Sequence, residues 1–166
     1  MILKYLNKNL INNIFCLVFI FLLDRVSKEY VIYLSDQNYN QELFLSSFLN
    51  IVLIWNEGIA FGLLSFDDKK LYNLITIFIL VIIIILLFLI SNSKKLKKYC
   101  YISITGGALG NLYDRFSYKA VPDFIDFHYQ GFHWFIFNIA DIFITLGVIC
   151  LIYDEVFLEK RRNANV

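Results

Sequence analysis

The clearest pattern along the chain is "LYNLITIFILVIIIILLFLI", residues 71–90, which carries no charged side chain. A helix that crosses a membrane needs roughly 20 mostly apolar residues, and this run predicts one directly. A second apolar run extends from Leu10 to about Tyr33, interrupted late by Asp24, Arg25 and Lys28. A third runs from Trp134 to about Leu158 and contains Asp141. The stretch Tyr99–Tyr113 is shorter and glycine-rich, so the distribution of charge, rather than hydropathy, assigns it a span.

Three basic clusters punctuate these runs: Lys4 and Lys8, then Lys94, Lys95, Lys97 and Lys98, then Lys160, Arg161 and Arg162. The positive-inside rule places all three on the cytoplasmic side, which requires two crossings between successive clusters. The expected fold is a membrane all-α bundle of four transmembrane helices, about 10–33, 71–90, 99–113 and 134–158, forming one domain over 1–166. Both termini then face the cytoplasm. Two connections stay outside, about 34–70 and 115–131. The first contains "FLNIVLIWNEGIAFGLL" (48–64), β-branched and aromatic with glycines at a turn. It predicts a small strand-rich extracytoplasmic flap over about 34–70, resting on the outer membrane surface.

Composition agrees with the pattern. Hydrophobic residues are 59% of the 166 and charged residues 17%, outside the usual soluble balance. The net charge of +1 argues against a general nucleic-acid binder. Cys16, Cys100 and Cys150 form no C-x-x-C pair and read as small apolar packing residues. The N-terminal run resembles a signal peptide but has no A-x-A site and continues into Asp24-Arg25, so an uncleaved first span is expected.

Ionisable residues inside spans point to function by default, and here their depths agree. Asp24 and Lys28 lie toward the outer end of the first span, Asn111, Asp114 and Arg115 toward that of the third, Asn138 and Asp141 at the start of the fourth. Asp123 and Asp126 precede that last helix. "NLYD" (111–114) and "NIAD" (138–141) each set Asn and Asp three apart, on one helical face, with Arg115 on the face of Asn111. Gly106 and Gly110 let a neighbouring helix approach closely. Several of these have plainer readings. Asp24 and Lys28 can simply pair, Asp126 reads as a solvated loop carboxylate, and His128 and His133 read as interfacial side chains without zinc spacing. Asp141 resists a plain reading, because an isolated carboxylate at that depth costs several kcal/mol. No G-x-S-x-G or H-E-x-x-H is present. Paired carboxyls sharing a proton could activate water with one member and polarise a carbonyl with the other, without cofactor or metal.

"DRVSK" (24–28), "NEGIAFG" (56–62), "GGALGNLYDR" (106–115), "VPDFIDF" (121–127) and "FNIAD" (137–141) resemble, in order, the motifs of bacterial lipoprotein signal peptidase, signal peptidase II. The resemblance spans nearly the whole chain. It implies an intramembrane aspartic endopeptidase of the bacterial inner membrane that removes signal peptides from diacylglyceryl-modified prolipoproteins, cutting before the lipidated cysteine. Asp123 and Asp141 would be the catalytic pair. Asn111 and Arg115 would line the site and hold substrate carbonyls, Asn138 would steady the dyad, and Asp114 would brace Arg115. Asn56 and Gly58 would belong to a flap closing over substrate, with Asp24 and Lys28 in local support or lipid contact. No cofactor or metal is implied; the partners are prolipoprotein substrates and membrane lipid, and the protein is expected to act as a monomer. The alternative from the residues alone is a small proton- or cation-coupled transporter, which would place its carboxylates near the bilayer midplane rather than at one end.

Overall fold

The computed structural model describes residues 8–37, 44–58 and 69–159. Lys4, the Lys160–Arg162 cluster and the end of "NEGIAFG" through Gly62 lie outside them. Four helices appear: α1 (Lys8–Gln37), α2 (Lys69–Asn92), α3 (Lys95–Ser117) and α4 (Ile139–Tyr153), the last continuing as a wider π-helical turn over Asp154–Glu159. Of these, α1 and α2 contain stretches long and apolar enough to cross a membrane, Leu10–Gln37 and Tyr72–Asn92. Lys97, Lys98, Asn111, Asp114 and Arg115 dilute the apolar content of α3, while α4 is 15 residues long.

The helices alternate in direction. Leu10, Asn13 and Ile14 of α1 share a cavity with Leu87 and Ile90 of α2 and with Lys98 and Ile102 of α3. At that same end Lys97 reaches Glu155 beyond α4, at 2.7 Å. Glycines set the separations. A Cβ on Gly106 would lie 2.8 Å from an Ile20 side-chain carbon on α1. One on Gly107 would lie 2.5 Å from the Ala140 carbonyl oxygen, and one on Gly147 2.9 Å from that of Cys100. Three helices therefore touch nearly backbone to backbone, as small residues permit. The outward surface is apolar, with Phe15, Val26, Phe78 and Phe88 well exposed, as suits side chains that meet lipid instead of water.

A four-stranded antiparallel sheet in the order β1-β2-β3-β4 caps one end. Its strands are β1 (Phe44–Leu45), β2 (Leu49–Asn56), β3 (Val121–Tyr129) and β4 (Phe132–Phe137). The strand character read in 48–64 holds for β2. The second outer connection, about 115–131, supplies β3, which its sequence had not suggested. Trp134–Phe137, part of the apolar run assigned to the fourth helix, is strand. Alternating burial is not what made this run look helical; continuous Phe, Trp and Ile is ambiguous between strand and helix. The deciding local signal is Gln130-Gly131. Both residues take positive φ, 49° and 80°, which is what a two-residue hairpin turn between twisted strands requires.

Candidate active site

The site is assembled at the start of α4. Asn138 is its N-cap: Asn138 Oδ1 accepts the Asp141 N–H at 3.1 Å, and the Asn138 N–H donates to Asp141 Oδ2 at 3.2 Å. This reciprocal pair is a capping box, satisfying two otherwise orphaned donors. The i, i+3 spacing of "NIAD" is thus a helix start and not two positions on a helical face; placing the helix start at Trp134 had hidden this. The next donor, Ala140 N–H, is taken by Asp24 Oδ1 from α1 at 3.0 Å. A first-helix carboxylate therefore helps to anchor the beginning of the fourth helix.

Asp24 belongs to a buried charge cluster between α1 and α3. Lys28 Nζ lies 2.9 Å from Asp24, 2.7 Å from Asp114 and 2.8 Å from Asn111 Oδ1. Arg25 meets Asp24 at 3.0 Å and Asp114 at 2.6 Å, with its guanidinium 4.8 Å from the centre of the Tyr113 ring. Asp24, Lys28 and Asp114 are wholly buried. Two acids and two bases make the quartet neutral, which is what lets it sit in an apolar bundle. Gly110 faces the Asp24 carboxylate directly, leaving no room for a side chain. Asp114 therefore pairs with Arg25 and Lys28, and the expected brace on Arg115 comes from elsewhere. Arg115 donates to the Asn111 carbonyl at 3.3 Å and to the Gly58 carbonyl at 3.2 Å. Sequence reasoning gave Arg25 no role, because an arginine beside an aspartate in the chain does not reveal a partner on another helix.

Asp123, on β3, completes the centre. Its Oδ1 accepts from Asn138 Nδ2 at 2.6 Å and its Oδ2 from Asn56 Nδ2 at 2.8 Å. Asn56 Oδ1 in turn accepts the Gly58 N–H at 2.8 Å. Across the site, Asn111 Nδ2 donates to Asp141 Oδ1 at 2.9 Å. These contacts close a ring: Asn111, Asp141, Asn138, Asp123, Asn56, Gly58, Arg115 and back to Asn111. Burial, and then the charge of Asp141, pushes the Asp123 carboxyl up to about 7. A carboxyl that keeps its proton toward neutral pH beside a second carboxyl is poised for acid–base work. Every residue singled out in the sequence as a site candidate lies in this ring or in the charge cluster beside it. An apolar groove lined by Phe135, Phe137, Ile142, Thr145 and Leu146 reaches Asp141 from the outer surface of α4.

Asp126 is not the solvated loop acid that its position in sequence suggests. It is 2% exposed and accepts from Asn50 at 3.2 Å, with His133 Nδ1 at 2.8 Å. His128 contacts Asn50 at 3.1 Å and stacks on His133 at 5.2 Å. This cluster ties β2, β3 and β4 together on the sheet. Among the described residues no three His, Cys, Asp or Glu side chains are arranged to hold a metal ion.

Comparison with known proteins gives a consistent family. The sequence profile of signal peptidase (SPase) II matches residues 16–157. The lipoprotein signal peptidase of Pelagibacter ubique (strain HTCC1062) is 47% identical over 156 residues, covering 94% of each chain. That of Anaplasma marginale (strain Florida) is 40% identical over 156 residues, covering 93% of this chain and 89% of its own. Among solved structures, a bacterial membrane enzyme determined by the in meso method at 2.3 Å superposes with a TM-score of 0.71 at 30% identity, covering 92% of this chain and 90% of that one. A second, at 1.9 Å, gives 0.70 at 32% identity, covering 88% and 93%.

Proposed function

The chain belongs to the signal peptidase II family, and we propose that it is an aspartic endopeptidase of the bacterial inner membrane that cleaves signal peptides from diacylglyceryl-modified prolipoproteins. The single observation that carries the mechanism is Asn138, which hydrogen-bonds the Asp123 carboxyl through its side chain and the Asp141 carboxyl through its backbone N–H. One ionised carboxylate takes a proton from a water as its oxygen attacks the scissile carbonyl. The other, protonated, donates to the carbonyl oxygen. As the tetrahedral intermediate collapses and the C–N bond breaks, one of its hydroxyls returns a proton to the second carboxylate while the carbonyl re-forms, and the leaving amine takes from the first carboxyl the proton that came from water, which restores the pair. Water and peptide supply all the atoms.

The surroundings support this reading. Arg115 Nε has no partner among the described residues although the side chain is buried, leaving a donor for a substrate carbonyl. Asn56 and Gly58 join the sheet to the dyad, as expected of a flap that orders over an extended peptide. The apolar groove at Asp141 suits the acyl chains or apolar side chains that border the cleavage point. The alternating helix directions, with Lys97 and Lys98 at the end opposite the dyad, support four crossings with both termini cytoplasmic and the site toward the outer face.

The test is cleavage by the purified full-length protein in lipid or detergent. A prolipoprotein carrying diacylglycerol on its cysteine is expected to be cut immediately before that cysteine, while the unmodified precursor stays intact. Equal cleavage of both, or cleavage that survives Asp141→Asn, would overturn the reading.

A further inference from the structure

An amide side chain has two ends of nearly equal size and opposite character, an acceptor oxygen and a donor NH2 group. Which end Asn111 turns toward Asp141 decides which protonation state of that carboxyl the contact favours: the N–H end stabilises the carboxylate, the oxygen end the protonated acid. Lys28 settles the choice. An ammonium has three donors and no acceptor, and those of Lys28 are spent on Asp24, Asp114 and Asn111 Oδ1, at 2.9, 2.7 and 2.8 Å, with the side chain fully buried. Only the oxygen end of Asn111 can face it.

We propose that Lys28 is a positioning residue for the dyad: by occupying Asn111 Oδ1 it leaves only N–H for Asp141, and so keeps Asp141 as the ionised member of the pair. The inference rests on the dyad reading and assigns the resting proton to Asp123. Two further features agree. Asp141 sits in the first turn of α4, where backbone N–H groups favour negative charge, and it receives one of them from Asn138 at 3.2 Å. Asp123 also accepts two amide N–H, from Asn138 and Asn56, but burial and then the Asp141 charge outweigh them and push its carboxyl up to about 7. Among the described residues the charged and titratable groups around the pair include Asp24, Arg25 and Lys28 from α1, Tyr72 from α2, Asp114 and Arg115 from α3, and Glu57 beside Asn56. The Asp24, Arg25, Lys28 and Asp114 quartet is neutral, which leaves Arg115 as the cation outside it that faces the pair.

The full-length protein is tested by measuring kcat and kcat/KM against pH on a diacylglyceryl-modified substrate, for wild type, Lys28→Met, and Lys28→Met combined with Asp114→Asn. The double variant keeps the buried cluster neutral, with Asp24 paired to Arg25, and preserves the Asp24 acceptor for Ala140. Both are expected to lose roughly tenfold or more in kcat at pH 7 with KM within about twofold, and to move the acidic limb of kcat/KM upward by about one pH unit. Adding Lys28→Met to Asn111→Ala is expected to cost little further, because the lysine acts through the amide. A folded Lys28 variant with the wild-type acidic limb overturns the proposal, as does restoration of the wild-type profile in the double variant. Failure of both variants to accumulate as folded protein marks Lys28 as mere support and overturns it equally. If Asp141→Asn itself cleaves normally, the dyad reading falls; if Asp141→Asn is inactive and the Lys28 profiles are unchanged, only this inference falls.

Discussion

Asn138 holds Asp123 and Asp141 at once, donating from Nδ2 to Asp123 at 2.6 Å while its Oδ1 accepts the Asp141 N–H at 3.1 Å. One residue is therefore both the N-cap of α4 and the bridge of the proposed dyad. The two duties are separable by chemistry, since a serine caps a helix about as well as asparagine but has no second arm to reach Asp123. Asn138→Ser is expected to keep thermal stability within about 1 kcal/mol of wild type and to lower kcat on the order of tenfold to a hundredfold. Thermal unfolding in detergent beside cleavage assays separates these effects. Full activity in a folded Asn138→Ser protein would show that the bridge has no catalytic part.

The proton on Asp123 makes pH a second probe. Its carboxyl is raised from the ordinary carboxylate range to about 7, first by burial and then by the Asp141 charge. The folded state thus binds this proton more tightly than the unfolded chain. The resulting stability is complete below about pH 4, the carboxyl's unfolded range, and is lost as pH rises from there through about 7. Activity should fall over the upper part of the same window, because the pair loses its acid. Wild type is expected to lose stability between pH 4 and 7 relative to Asp123→Asn, which has no such proton to release; pH-dependent unfolding of the two proteins checks the sign.

Much of this site was legible in the sequence because polar residues in an apolar chain are conspicuous. Asp24, Lys28, Asn111, Asp114, Arg115, Asn138 and Asp141 all stand out against Leu, Ile and Phe, and the ordered motifs that contain them identify the family. What the sequence obscured was pairing. Asp114 looked tied to its neighbour Arg115, whereas helical geometry turns it toward Arg25 and Lys28 on α1. Trp134–Phe137 looked like the beginning of a membrane helix, since a fully apolar strand and a fully apolar helix share a composition. Asp126 looked solvated because only the fold brings Asn50 and His133 to it.

Gly110 links the packing of α1 on α3 to the site. A side chain there would collide with the Asp24 carboxylate, which holds Lys28 and the Ala140 N–H. Gly110→Ala is expected to cost about 1–3 kcal/mol through overpacking and to reduce cleavage as well, because Asp24 can yield only by leaving the start of α4. Gly131→Ala is the control. Nothing lies within 4 Å of its Cβ position, and only the positive φ of 80° opposes it, at about 1–2 kcal/mol. It should retain activity once folded. Unfolding temperature and turnover fall together for Gly110→Ala if the link is real, and separately if Gly110 matters for packing alone.

The proposed dyad makes a prediction of its own. Asp123 reaches the start of α4 because the β3–β4 hairpin doubles the chain back at Gln130-Gly131, and the ring of contacts through Asn56, Asn111 and Asn138 fixes both carboxyls. Asparagine keeps their size and acceptor oxygens but can neither take a proton from water nor supply one. On the proposed mechanism each single change removes one half of a unit that works only as a pair, so the losses should not add. Asp123→Asn, Asp141→Asn and the double variant are expected to be about equally inactive, each down on the order of a hundredfold or more, with insertion and folding intact. Asp126→Asn, in contrast, should retain most of the activity and lose roughly 1 kcal/mol of stability, since Asp126 binds Asn50 and His133 within the sheet and does not touch the ring. Clear turnover by Asp141→Asn would end the aspartic mechanism. Turnover by Asp123→Asn together with an inactive Asp126→Asn would move the second carboxyl of the proposed dyad three residues along β3 and onto the other face of the sheet, where the His128–His133 stack lies.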